Sequence, residues 1–149
     1  MCKMDPILFL LLILIFLICY YHIYYKRKIY QDPLIKKIKY DVSKLDSRIE
    51  TIDFYSSNES YTEDKKKIFI CLKDENNQYY DYNMLIYVAI HECSHALTKV
   101  IDTEHTSREF REMFESLLKN ATKMKIYNPT TPLEKHYCGI DLDVKEMQR

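Results

Sequence analysis

Between positions 6 and 25, "PILFLLLILIFLICYYHIYY", the chain has no Asp, Glu, Lys or Arg, and no Ala, Gly or Ser. The first absence excludes a solvated surface helix. Twenty residues at helical rise span roughly 30 Å, the hydrocarbon thickness of a bilayer. The second argues against the rival reading, a cleaved leader, which needs a small-x-small cleavage site. The segment is apolar on all sides, unlike a one-faced core helix. Tyr20, Tyr21, Tyr24 and Tyr25 close it with rings suited to the headgroup boundary. An uncleaved transmembrane anchor through residues 6–25 is the expectation.

A disulfide framework is also missing. Cys2, Cys19, Cys71, Cys93 and Cys138 are odd in number, scattered and partly inside the anchor, so the cysteines are expected as thiols. Net positive charge is absent as well, with 22 Lys/Arg against 22 Asp/Glu, but the charge is unevenly spread. Residues 26–44 hold seven Lys/Arg and two Asp, whereas residues 45–149 hold 14 Lys/Arg and 19 Asp/Glu. The acidic remainder lacks the electrostatic footprint of a nucleic-acid binder, and no nucleic-acid partner is expected. The basic stretch belongs beside an anionic leaflet. The N-terminal side of the anchor offers only Lys3 against Asp5, so the positive-inside tendency puts the C-terminal domain in the cytoplasm.

No internal repeat or low-complexity run appears, and the single glycine is Gly139. The reading divides the chain into an anchor at 1–25, a basic juxtamembrane tether at 26–47 and one α+β domain at 48–149. Pro33 stops any extension of the anchor helix into the tether. Residues 48–57 alternate imperfectly and predict a strand; residues 67–74, "KIFICLKD", predict a second, and the two suggest a short antiparallel sheet. "SSNESYTEDKK" between them reads as a loop. A helix is predicted from an Asn83 cap to about Ile101. Its residues Ile86, Ile90, Cys93, Leu97, Val100 and Ile101 fall on one arc and His91, Glu92 and His95 on the opposite side. A second helix opens with a capping box in which Thr106 caps and Glu109 reaches back. Phe110, Met113, Phe114, Leu117, Leu118, Ala121 and Met124 then recur at three and four.

"HECSH" at 91–95 fits H-E-x-x-H. Residues i and i+4 lie one helical turn apart, so both imidazoles can reach one ion at about 2.0–2.1 Å. Glu92 lies on the same arc, placed to take a proton from water that the ion has acidified. A catalytic zinc needs a third protein ligand and an open position. The extended metzincin motif is absent, because Thr98 and Ile101 stand where it requires Gly and His. Glu112 and Glu115 lie off the second helix's apolar stripe and read as solvated. His105 immediately precedes the Thr106 cap, so the turn can bring it back over His91 and His95. His136, in the Pro-interrupted tail, is a weaker candidate. Tyr137 is a candidate oxyanion donor, and Cys93, on the apolar arc, reads as a packing residue.

Residues 66–141, from "KIFICLKDENNQ" through "HECSH" and "HTSREF" to "YCGI", resemble the WLM-type metallopeptidase domains, relatives of the SprT-like zinc peptidases. The likeness is to small membrane-anchored versions from large nucleocytoplasmic DNA viruses. Glu104 stands where those relatives usually have Gly. The resemblance implies a zincin-like domain of a short sheet and two helices. It also implies Zn2+ on His91, His95 and His105, Glu92 as catalytic acid/base, and a protein or peptide substrate. The competing expectation is a non-catalytic anchored protein, of a host or virion membrane, whose zinc only stabilises the fold.

Overall fold

The computed structural model of the chain describes residues 6–30, 32–99 and 107–141. Helix α1, Pro6–Tyr30, contains a run at Pro6–Tyr24 that is long and apolar enough to cross a membrane. None of that run is buried against the protein. After residue 31 comes α2, Pro33–Ser43. Its start is over-determined: Asp32 accepts from the Leu34 amide at 2.9 Å, and Pro33 occupies the first helical turn where no amide donor is needed. The expected polar tether is therefore a structured part of the domain. Ile35, Ile38 and Val42 recur at three and four and are buried in the core, an apolar stripe narrow enough to be overlooked among lysines.

A 3₁₀ turn, Ser47–Thr51, capped by Asp46, replaces the first half of the predicted strand at 48–57. Ile49 is buried there at a period the alternating pattern does not capture. Strand β1, Asp53–Ser57, follows, then β2, Tyr61–Glu63, inside the predicted loop, and β3, Lys67–Cys71. The order is β1-β3-β2, and the sheet is mixed rather than antiparallel: β1 runs parallel to β3, and β2 antiparallel to it. Register sorts the faces. Phe54, Ile68 and Thr62 line up on the inner face, while Tyr55, Phe69 and Tyr61 stack on the outer one at 5.2 and 4.5 Å between centroids.

Helix α3, Tyr82–Leu97, crosses the inner face. Asp81, not Asn83, is its cap, accepting from the Asn83 amide, and Thr98 ends it well short of Ile101. Every residue from Met84 to Ile90 is buried, so α3 is the central rod of the core and not a one-sided helix. Helix α4, Arg108–Lys123, packs beside it through Phe110, Phe114, Leu117 and Ala121. Ser107 caps α4; Thr106, the expected cap, lies outside the described residues, and the Glu109 carboxylate accepts from the Lys99 amide at 2.7 Å. Met124 is 48% exposed, the apolar stripe ending one turn early.

A two-strand hairpin closes the described chain: β4, His136–Tyr137, and β5, Ile140–Asp141. Its turn needs positive φ at both central positions, and Cys138 and Gly139 both supply it. No atom crowds a Cβ built on Gly139, so backbone conformation rather than space accounts for the chain's one glycine. Cys138 is joined to Cys71 by a disulfide. That corrects the expectation of thiols throughout: a hairpin turn and a strand end 67 residues apart meet only in three dimensions.

Candidate functional site

The middle of α3 carries the site. His91 and His95, one turn apart, direct their Nε2 atoms at each other across 3.3 Å. Their rings are half-buried, edge-on to one another at 5.0 Å, and walled by α4. Phe110 lies 5.2 Å from His91 and 4.4 Å from His95, and Phe114 lies 5.6 Å from His91. These two phenylalanines belong to the predicted apolar stripe, but their position over the imidazoles is a property of the packing of α4 on α3.

Glu92 is 7% exposed. The sequence puts it on the face opposite the apolar arc, and that face is covered by the edge strand β2. The Thr62 hydroxyl donates to Glu92 Oε2 at 2.8 Å and lies 2.9 Å from the Glu92 backbone carbonyl. Burial raises the carboxyl's pKa from 4.5 to about 7, and the hydrogen bond from Thr62 opposes that shift. Thr62 is absent from the sequence-derived site because "SYTED" reads as loop chemistry. The only signal is a three-residue alternation, Tyr61 out, Thr62 in, Glu63 out, too short to stand above chance.

The β2–β3 turn adds a second hold. In this three-residue connection Asp64 and Lys65, the central residues of a turn closed by the Lys66 amide on the Glu63 carbonyl, both have positive φ. The turn aims the Lys65 ammonium at the C-terminal end of α3. There it donates to the Thr98 carbonyl and, at 3.5 Å, to that of His95, where a cation complements the helix dipole.

Other predicted residues lie elsewhere. His105, the expected third ligand, falls outside the described residues. Among the described residues no group of three or more His, Cys, Asp or Glu converges. Glu112 pairs with Arg108 on the surface, and Glu115 is exposed. His136 sits on the exposed hairpin 2.9 Å from Asp141. Tyr137 is buried, and its hydroxyl donates to the Cys71 carbonyl at 2.6 Å while the Ser60 hydroxyl, 2.9 Å away, donates to it. Its proton is committed to the fold, which removes Tyr137 as an oxyanion donor. Cys93 is fully buried, and burial pushes its thiol up, away from reactivity.

The chain is 37% identical over 108 residues to the uncharacterized protein 136R of Invertebrate iridescent virus 6, covering 69% of this chain and 59% of that protein. It is 39% identical over 83 residues to the uncharacterized protein 042R of Invertebrate iridescent virus 3, covering 55% and 50%. To the uncharacterized protein R325 of Acanthamoeba polyphaga mimivirus it is 30% identical over 113 residues, covering 68% and 55%. The chain thus spans between half and three-fifths of the length of these viral relatives. No family model and no solved structure matches it.

Proposed function

We propose that this protein is a membrane-anchored zinc peptidase of zincin-like build, similar to the WLM-type enzymes, hydrolysing peptide bonds at the His91–Glu92–His95 turn. The observation that carries the reading is the 3.3 Å between the two Nε2 atoms beside a buried carboxylate. Two nitrogens at 2.0–2.1 Å from one tetrahedral ion stand about 3.3 Å apart, so the imidazoles fit the metal without moving. A proton shared between the rings gives the same separation, but it gives Glu92 no role.

His91 and His95 would hold the zinc, with His105 as third ligand and a position left open. Zinc bound there supplies Lewis-acid polarisation of a carbonyl and brings the pKa of water toward neutrality. Glu92 takes the proton of the attacking water and delivers it to the leaving amine. Thr62 fixes one carboxylate oxygen and leaves the other as proton acceptor. Phe110 and Phe114 hold the imidazole planes and exclude water from their far side. The cation excess after the apolar run of α1 favours the cytoplasmic side for the domain, of a host or virion membrane.

A fold-stabilising zinc in a non-catalytic protein is the competing reading. A closed structural site has four protein ligands, and the Cys71–Cys138 bridge already staples the domain. The deciding experiment uses the full chain in detergent, with zinc content and cleavage of an unfolded protein followed together. Glu92→Gln should keep one zinc per chain and lose activity by about 10²–10⁴-fold, the usual worth of general acid–base assistance. His105→Ala should lose zinc, and His136→Ala should keep it. Wild type and Glu92→Gln with equal activity would remove the peptidase reading. Zinc lost from Glu92→Gln would make Glu92 a ligand and the site closed.

A further inference from the structure

Helix α2 presents two unlike faces. Ile35, Ile38 and Val42 point into the core, and at 100° per residue the opposite pole holds Lys36, Tyr40 and Lys44, with Lys37 beside them. Tyr40 is 66% exposed, a large ring in water in the middle of lysines. Lys44 lies 3.9 Å from the Tyr40 ring centroid and 2.8 Å from Asp41, and Lys37 lies over the Tyr82 ring at 3.7 Å. These contacts hold the cations along the helix without removing the excess, since the stretch from 26 to 44 carries seven Lys/Arg against Asp32 and Asp41.

Height above the bilayer follows from α1. Its apolar run ends at Tyr24, but the helix continues to Tyr30, six residues or about 9 Å further at helical rise. The headgroup layer on each side is roughly 5–7 Å thick. Tyr30 thus ends only a few Å beyond the headgroups, and the three residues to Pro33 reach at most roughly 10 Å. Helix α2 therefore starts within about 15 Å of the headgroups, and its lysines can come within a Debye length, about 8 Å, of an anionic surface.

We infer that the Lys36–Tyr40–Lys44 face of α2 lies on the anionic headgroup surface of the bilayer that α1 spans, and that it fixes the orientation of the domain on the membrane. The occupant follows from complementarity. Lysines meet lipid phosphates and carboxylates, and a tyrosine between them meets the interfacial layer where amphipathic rings settle. Because the other face of α2 is core, adhesion of this face holds the whole domain. The Tyr82 hydroxyl, donating to Asp41 at 2.7 Å, ties α2 to the first turn of the site helix. The site then sits at a set height, and substrates are selected by their presence near the membrane. This inference rests on α1 being membrane-spanning.

The chain has no tryptophan, so Tyr40→Trp gives a single reporter. The full-length variant is reconstituted into vesicles of brominated phosphatidylcholine, with and without phosphatidylserine. A blue shift and loss of emission in the serine-lipid vesicles is expected. High salt, or Lys36→Glu with Lys44→Glu in the same chain, should reverse both. Met124→Trp, at the end of α4, should keep water-like emission throughout. Emission from Tyr40→Trp that is water-like in both lipids, or equally quenched in both, overturns the inference. Extraction by alkaline carbonate reports α1 separately: a chain that stays with the vesicles while Tyr40→Trp remains in water loses only the α2 contact. A chain that is extracted loses the anchor and the inference with it.

Discussion

A carboxyl group enclosed between a helix and a sheet edge resists ionisation, and Glu92 has one hydroxyl bond, from Thr62, to offset that. Its pKa near 7 lies above the 4.5 of an ordinary glutamate, so between those values the folded chain keeps a proton that the unfolded chain has released. Folded stability of the metal-free protein must therefore fall as pH rises through that window and level off above it. Glu92→Gln never ionises. Above pH 7 it should exceed wild type by on the order of 3 kcal/mol in urea unfolding, and below pH 4.5 it should show no advantage. Thr62 gives a second residue-scale expectation. On the proposed peptidase reading, Thr62→Val removes the donor to the Glu92 carboxylate and should lower kcat by about 10–100-fold, the worth of a hydrogen bond to a charged group. Thr62→Ser should restore most of the rate, and zinc content should be equal in all three proteins.

At the scale of elements, the site helix is held from two directions. The β2–β3 hairpin reaches Glu92 through Thr62 and the end of α3 through Lys65. The β4–β5 hairpin holds the start of β2 in turn, since Ser60 accepts from the Cys71 amide at 2.9 Å and bonds Tyr137. The Cys71–Cys138 bridge locks that hairpin to the end of β3 across 67 positions. Closing a loop of that length removes roughly 4 kcal/mol of unfolded-chain entropy. Cys71→Ala with Cys138→Ala should lose about that much in chemical denaturation, whereas Cys19→Ser, on the exposed α1, should lose none.

For the whole molecule, charge and redox chemistry make different demands. The lysines after α1 favour a cytoplasmic domain, while a disulfide there needs an oxidant that the cytosolic thiol pool does not provide. Asn58-Glu-Ser and Asn120-Ala-Thr, both with exposed asparagines, distinguish the two sides. Expressed in animal cells, the full chain should run at its unmodified mass. Under those conditions the Cys71–Cys138 bridge, seen as a mobility change on reduction, reports oxidation on the cytoplasmic side. A mass shift removed by deglycosylation would instead put the domain in the lumen, where the bridge forms unaided.

The long apolar helix at the N-terminal end, the α+β class and the histidine pair were legible because each depends on neighbours in sequence. A charge-free run of twenty needs no partner to be apolar, and an i, i+4 pair meets by helical geometry alone. The amphipathic stripe of α4 was legible for the same reason, from Phe110 to Ala121. What the tertiary structure decided involves residues far apart in the chain. Tyr61–Glu63 is a strand because β3 supplies its hydrogen-bond partners, not because three residues prefer one. Thr62 joins the site from 30 positions away, and Cys71 meets Cys138 from 67. Ile35, Ile38 and Val42 became core because α3 and β1 offered an apolar surface to cover, which turned a tether into a helix. Local spacing can give one face of a helix its chemistry; which strand lies over that face depends on how the whole sheet packs.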